Sequence, residues 1–136
     1  MNGRAFRNFG RRELLDLCQK QGDKIGLVID LDGTGKFYPG FQPADGVEYV
    51  KMPLAEDLVP SSTQLLAVLQ TIDSFCRRRK AGELVAIHCS DGINRTGYVT
   101  AAYLLLRSKD REYDMEEAVQ AFELARGCRL ASRLHL

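Results

Sequence analysis

The sequence predicts an α/β fold with a central, mostly parallel sheet and helices on both faces. Three observations predict it. Residues 24–31, KIGLVIDL, are a nearly unbroken apolar run rich in branched side chains, as expected of a strand buried on both faces. A second run, ELVAIH at 83–88, is separated from the first by a long stretch of helical periodicity, the pattern of strands joined by crossover helices. The chain has 136 residues, the size of one domain over 1–136, enough to bury about two-thirds of its unfolded surface.

Taken in order, Leu14, Leu15, Leu17 and Cys18 lie on one side of an amphipathic helix from about Arg11 to Lys20, and Gly22 is placed to stop it. Residues 24–31 form the first strand. Residues 32–46 carry four glycines and two prolines and read as a surface loop. Residues 47–52, VEYVKM, alternate apolar and polar and read as a strand. Pro53 to Pro60 is irregular. Ser61 and Gln64 have capping-box spacing, so a helix is expected over Ser62–Arg78 with Leu65, Leu66, Val68, Leu69, Ile72, Phe75 and Cys76 inward. Gly82 breaks the chain before the strand Glu83–His88. A helix is expected over Gly97–Arg107, and another, capped by Asp114 with Glu117, ends near Arg126-Gly127.

Composition excludes several classes. With 19 Lys+Arg against 18 Asp+Glu, global charge does not mark a nucleic-acid binder. Locally, Arg77-Arg78-Arg79-Lys80 forms a basic block, and Arg4, Arg7, Arg11 and Arg12 crowd the first residues. These read either as solvated helix ends or as a rim for an anionic polymer. Cys18, Cys76, Cys89 and Cys128 show no CxxC pairing, which argues against zinc and against a disulfide scaffold; Cys18 and Cys76 read as small core residues. No apolar run is long enough to span a membrane and no signal peptide opens the chain, so the expected setting is reducing and not secreted.

The chemistry concentrates in residues 84–107. An apolar run ends in His88-Cys89, the loop Ser90-Asp91-Gly92-Ile93-Asn94 follows, and Arg95-Thr96-Gly97 opens a helical pattern. A thiol becomes a strong nucleophile only as the thiolate, which a helix N-terminus and a nearby cation both favour. The loop is short enough for its N–H groups to converge on one anion, and Gly92 eases the turn. Arg95 supplies a planar fork for two phosphoryl oxygens. The expected reaction is attack by Cys89 on phosphorus, followed by hydrolysis of a cysteinyl-phosphate. Thr96 is placed either to donate its hydroxyl to the Cys89 sulfur or to bond its own helix start. His88 is expected to shape the loop by a hydrogen bond from behind. No metal and no cofactor are called for.

A bare Cys-x5-Arg is a weak signal; HCSDGINRTGY at a strand-to-helix junction is a strong one. It resembles the signature of cysteine-dependent protein-tyrosine and dual-specificity phosphatases. GxNRTGY is similar to the branch containing the RNA 5′-triphosphatases of mRNA-capping enzymes. IGLVIDLDGTGKFY, GVEYVKM and AVQAFELARG resemble further segments of that branch, so the likeness covers residues 6–130 or so. It implies a protein tyrosine phosphatase-like fold and metal-independent removal of the terminal phosphate from 5′-triphosphate RNA. Cys89 carries the nucleophile role and Arg95 the phosphate-binding role. It further implies a nuclear or cytoplasmic monomer acting alongside a separate guanylyltransferase, with Arg126 and Arg129 as RNA-rim candidates. The chain departs from the branch at Ser90-Asp91, where Thr-His is usual, and is short before its first helix. Asp91 puts a carboxylate beside the anion site.

Tyrosine-directed relatives protonate the leaving oxygen with an aspartate on a separate loop. Glu56 and Asp57 are the candidates here, or are simply solvated loop acids. A diphosphate end departs without protonation more readily than an alkoxide, so a missing acid favours phosphoanhydrides. Alternatives remain. The chain could be a dual-specificity or tyrosine phosphatase acting on phosphoprotein or small phosphomonoesters. It could be a phosphate-binding adaptor without turnover. Asp30-Leu31-Asp32-Gly33-Thr34 also resembles the nucleophile motif of magnesium-dependent haloacid-dehalogenase-like phosphatases, with Asp30 attacking and Asp32 as acid.

Overall fold

The computed structural model describes residues 20–32, 46–55, 59–89, 94–109 and 111–126. Its elements run β1 (Lys24–Asp30), β2 (Glu48–Lys51), α1 (Ser62–Arg78), β3 (Glu83–His88), α2 (Asn94–Arg107) and α3 (Met115–Arg126). The strands form one parallel sheet in the order β2-β1-β3, with β1 in the middle. Its central position accounts for its unbroken apolar sequence: Leu27, Val28 and Ile29 are all fully buried.

A bulge between Ile25 and Leu27 shifts the pairing of β1 with β3 by one residue. Ile25 and Val28, three apart, therefore join one cluster with Val47, while Leu27, Ile29 and Leu31 join another. The second cluster packs against Val68, Ile72 and Phe75 of α1 and Val99 of α2, and α3 closes on α2 through Ala101, Val119 and Phe122. The three described helices thus gather on the Leu27–Ile29 side. The helix expected over Arg11–Lys20 lies, except for Lys20, outside the described residues. Gly26 sits where α1 comes closest: a Cβ there would meet the Phe75 ring at 2.5 Å.

The helix starts follow their local signals. Ser61 Oγ accepts from the Gln64 amide at 3.1 Å, and Gln64 Oε1 accepts from the Ser61 amide at 2.9 Å. Asp114 and Glu117 make the same reciprocal pair before α3, at 2.8 and 2.9 Å. Gly82 turns the chain into β3 at φ +83. Two expectations for α1 need correction. Leu66 is 47% exposed, because it lies nearly half a turn from the stripe that Val68, Ile72 and Phe75 press onto the sheet. Cys76 is also exposed, two residues before the end of the helix. The helix expected from Gly97 begins three residues earlier, at Asn94, so Arg95 and Thr96 belong to its first turn.

Candidate active site

The three strands end together. Asp30 is level with Lys51 of β2 on one side and His88 of β3 on the other. Beyond the strands the ladder continues: the Leu31 amide donates to the His88 carbonyl at 2.8 Å, the Met52 amide to the Asp30 carbonyl at 2.8 Å, and the Leu54 amide to the Leu31 carbonyl at 3.0 Å. Cys89 leaves this rim directly after β3 and is 6% exposed. The first turn of α2 returns to it. Thr96 Oγ1 donates to Cys89 Sγ at 3.1 Å. Arg95, 4% exposed, donates through Nη1 to the Leu54 carbonyl at 3.2 Å and the Leu31 carbonyl at 3.4 Å. The guanidinium is therefore fixed by main chain that follows two different strands. A sulfur with a hydroxyl donor, a buried cation and a helix N-terminus beside it is an environment suited to negative charge.

Behind the sulfur lies a polar cluster that the sequence did not disclose. Asp30 is 4% exposed, and its carboxylate accepts from the Tyr49 hydroxyl and, at 2.9 Å, from the Asp32 amide. Lys51 Nζ stands 3.9 Å and His88 Nε2 3.8 Å from the same carboxylate. Tyr49 and Lys51 alternate along β2 onto one face, so both reach Asp30 from the neighbouring strand. A carboxylate held this way is an anchor and not a free nucleophile, which counts against the dehalogenase-like reading of Asp30. The signal that would have found the cluster is an aspartate closing an otherwise apolar central strand. Its partners, however, follow from register, which the sequence does not print.

His88 is held below its ordinary value of 6.5, first by burial and also by the Lys51 charge. Asp30, Asp32 and a hydrogen bond with the Cys89 backbone oppose that shift without cancelling it. The folded protein thus keeps His88 neutral where the unfolded chain would take up a proton. The stability this contributes is complete above about pH 6.5 and is lost as pH falls from there through the folded pKa. Urea unfolding at pH 7.5 and pH 5.5 should show the parent losing stability. His88→Asn, which does not titrate, should lose less; equal losses would remove His88 from the acid response.

The remaining expected site residues divide in two. His88, Cys89, Asn94, Arg95 and Thr96 come together at the sheet rim. Ser90, Asp91, Gly92 and Ile93 lie outside the described residues, as do Glu56, Asp57 and Arg129; Arg126 ends α3, and its side chain lies outside the description too. The basic block of Arg77 to Lys80 is not on the rim of the site. Arg78 pairs through both guanidinium nitrogens with Glu48, the first residue of β2, and Arg79 donates to the carbonyl of Glu83, the first residue of β3. The block therefore sits at the end of the sheet where strands begin, opposite Cys89.

Residues 9–133 match the model of the dual-specificity phosphatase catalytic domain. The chain belongs to the dual-specificity phosphatase family. Its structure agrees: the crystal structure of Tk-PTP in the active form superposes with a TM-score of 0.71 at 25% identity, covering 93% of this chain and 82% of that one. Kinase associated phosphatase shares the fold, with a TM-score of 0.64 over 90% of this chain and 67% of that one, at 17% identity. The protein tyrosine phosphatase-like fold expected from the sequence is thereby established. Among curated proteins, this dual-specificity phosphatase is 33% identical to the RNA/RNP complex-1-interacting phosphatase homolog of Caenorhabditis elegans, over 88% of its own length and 51% of the relative's. It is 36% identical to a tyrosine-protein phosphatase of Autographa californica nuclear polyhedrosis virus, over 79% and 62% of the two chains. It is 31% identical to the mRNA-capping enzyme of Danio rerio, over 76% of its length and 17% of that enzyme's. The chain thus spans about half of the first relative and less than two-thirds of the viral one.

Proposed function

We propose that the chain removes the terminal phosphate from 5′-triphosphate RNA through a cysteinyl-phosphate on Cys89. The observation that carries the chemistry is the convergence of the Cys89 sulfur, the Thr96 hydroxyl and the anchored Arg95 guanidinium at one strand-to-helix junction. The Cys89 thiolate attacks the γ-phosphorus. The bond from that phosphorus to the bridging oxygen breaks, and the RNA leaves with a diphosphate end. Water then attacks the phosphorus, the S–P bond breaks, and orthophosphate departs while the sulfur recovers its electron pair. The Thr96 hydrogen bond stabilises the sulfur in both its charged states, before attack and after release. Arg95 and the amides at the start of α2 hold the phosphoryl oxygens as charge spreads over them. Neither step calls for a metal ion or cofactor, so activity should survive EDTA.

RNA as substrate is supported by the relatives named for RNA/RNP interaction and for mRNA capping. The relative named for mRNA capping supports a nuclear setting, and the chain is proposed to act there or in the cytoplasm as a monomer, in concert with a guanylyltransferase. Among the described residues no helix is long and apolar enough to cross a membrane. The second reading, hydrolysis of phosphotyrosine or small phosphomonoesters, is favoured by the viral tyrosine-protein phosphatase and by Tk-PTP. One comparison separates them. Release of γ-phosphate from triphosphate-ended RNA should exceed hydrolysis of a phosphotyrosine peptide by at least about tenfold in kcat/KM, a difference of roughly 1.4 kcal/mol in transition-state stabilisation. Equal or faster turnover of the peptide would overturn the RNA reading.

A further inference from the structure

A groove of about 360 Å³ runs between β2 and α1. Its floor is apolar, formed by Leu27, Val50 and Met52, and its helix wall is polar, formed by Gln70, Thr71 and Ser74. One end lies near the active site: Met52 donates its amide to Asp30, and Leu54, two residues on, receives the Arg95 guanidinium. The other end is closed by Arg78, beyond which Arg77, Arg79 and Lys80 are exposed. Glu48 is the only acid among the lining residues, and Arg78 neutralises it through a two-pronged ion pair. Strand-borne apolar groups face helix-borne polar groups along the groove, and its charged residues, Glu48 and Arg78, lie at one end. The groove begins at Met52, on the edge of the sheet where Cys89 also emerges, passes an apolar floor facing hydrogen-bonding side chains, and ends at the Arg78–Glu48 pair, with exposed cations beyond.

We propose that this groove is a path for the body of a single-stranded RNA, leading from Cys89 to the cations at the far end of the sheet. This rests on the triphosphate-RNA reading for which end of the strand enters first, but the groove's affinity for RNA is separately measurable. An RNA strand suits both walls: its bases have apolar faces for Val50 and Met52, and its phosphates and sugar hydroxyls can bond Gln70, Ser74 and the cations. Contact is made through backbone and charge, so it is independent of sequence and sensitive to salt. The basic block, at the wrong end of the sheet to serve the reacting phosphate, acquires a role in holding the rest of the strand.

The test is binding of a fluorescent 5′-hydroxyl oligouridylate, which carries no phosphate for the cysteine to act on, by the full chain. Two double variants are compared with the parent: Gln70→Glu with Ser74→Glu, which puts carboxylates in the groove, and Arg77→Ala with Lys80→Ala, which removes exposed cations. All four positions are exposed, and thermal unfolding confirms that each variant folds. The first variant should bind at least about tenfold more weakly, and the second should flatten the plot of log K against log salt by roughly one. Lys109→Glu, with the same change in net charge on an exposed turn outside the groove, should bind like the parent. The inference is overturned by a parent that does not bind the oligomer, by groove variants within twofold of the parent, or by an equal loss in Lys109→Glu. If instead the groove dependence holds while the chain prefers phosphotyrosine, the groove stands and the substrate assignment falls.

Discussion

Cys89→Ser should lower phosphate release by at least about a thousandfold, the scale seen when one member of a catalytic unit is removed. The substitution exchanges sulfur for oxygen in a site that already supplies a hydroxyl donor, so the fold should persist. The serine hydroxyl, however, does not ionise at neutral pH and so does not supply the anionic nucleophile that the thiolate is. Binding of inorganic phosphate should remain, because Arg95 and the start of α2 are untouched. Arg95→Lys should cost about a hundredfold or more in rate, since an ammonium cannot keep both the Leu31 and Leu54 carbonyls and a planar fork for phosphate. Thr96→Ala should act differently. By withdrawing the hydrogen bond to the sulfur as leaving group, it should slow the second step more than the first, so that rapid quench shows a burst of product before a slow steady state. A Cys89→Ser enzyme with turnover near that of the parent would overturn the cysteinyl-phosphate mechanism outright.

Asp30→Ala should destabilise the fold by about 3–5 kcal/mol, the penalty for removing one partner from a buried charged network. Its loss removes the acceptor used by the Tyr49 hydroxyl and the Asp32 amide and the carboxylate that stands near Lys51. Tyr49→Phe removes one hydrogen bond from the same group and should cost about 1–2 kcal/mol. Combined, the two substitutions should cost less than their sum, because each removes the other's partner. Urea unfolding of the four proteins measures this directly. An Asp30→Ala midpoint close to that of the parent would mean that the cluster is ornamental. The expected loss of activity should exceed what the unfolded fraction explains, since the level strand ends also set where Cys89 emerges.

Cys89 and Asp30 differ in how far their surroundings can be read from the sequence. Cys89, Arg95 and Thr96 are legible because the chemistry is packed into one short segment whose spacing fixes its geometry. The limits of α1 and β3, and the cap of α3, are legible for a similar reason: Ser61 with Gln64, Gly82, and Asp114 with Glu117 are local signals that bond to their own neighbours. The start of α2 was displaced because its first turn is made of Asn94, Arg95 and Thr96, polar residues that serve the site and give no apolar periodicity. Cys76 falls on the apolar side of α1 by periodicity, but it stands near the helix end, and how far cover extends there is a matter of packing. The Asp30 cluster was hidden most completely. Tyr49 lies 19 residues from Asp30 in sequence and reaches it only through the register of β2 on β1. Asp30 instead drew attention as part of a motif belonging to other phosphatases. The basic block was visible as a charge run, but its address at the far end of the sheet depends on the pairing of Arg78 with Glu48.

The middle position of β1 also sets an order of events during synthesis. Of the three described strands β1 is made first, yet both of its edges bond to strands that come later, and the second of these ends at His88. Until the ribosome has delivered that segment, one edge of an almost wholly apolar strand has no mate, a state prone to pairing with other nascent chains. The strand that closes this edge is the one that carries Cys89 at its tip. Completion of the sheet and installation of the thiol are therefore a single late event, and a nascent chain is chemically silent for as long as it is sticky.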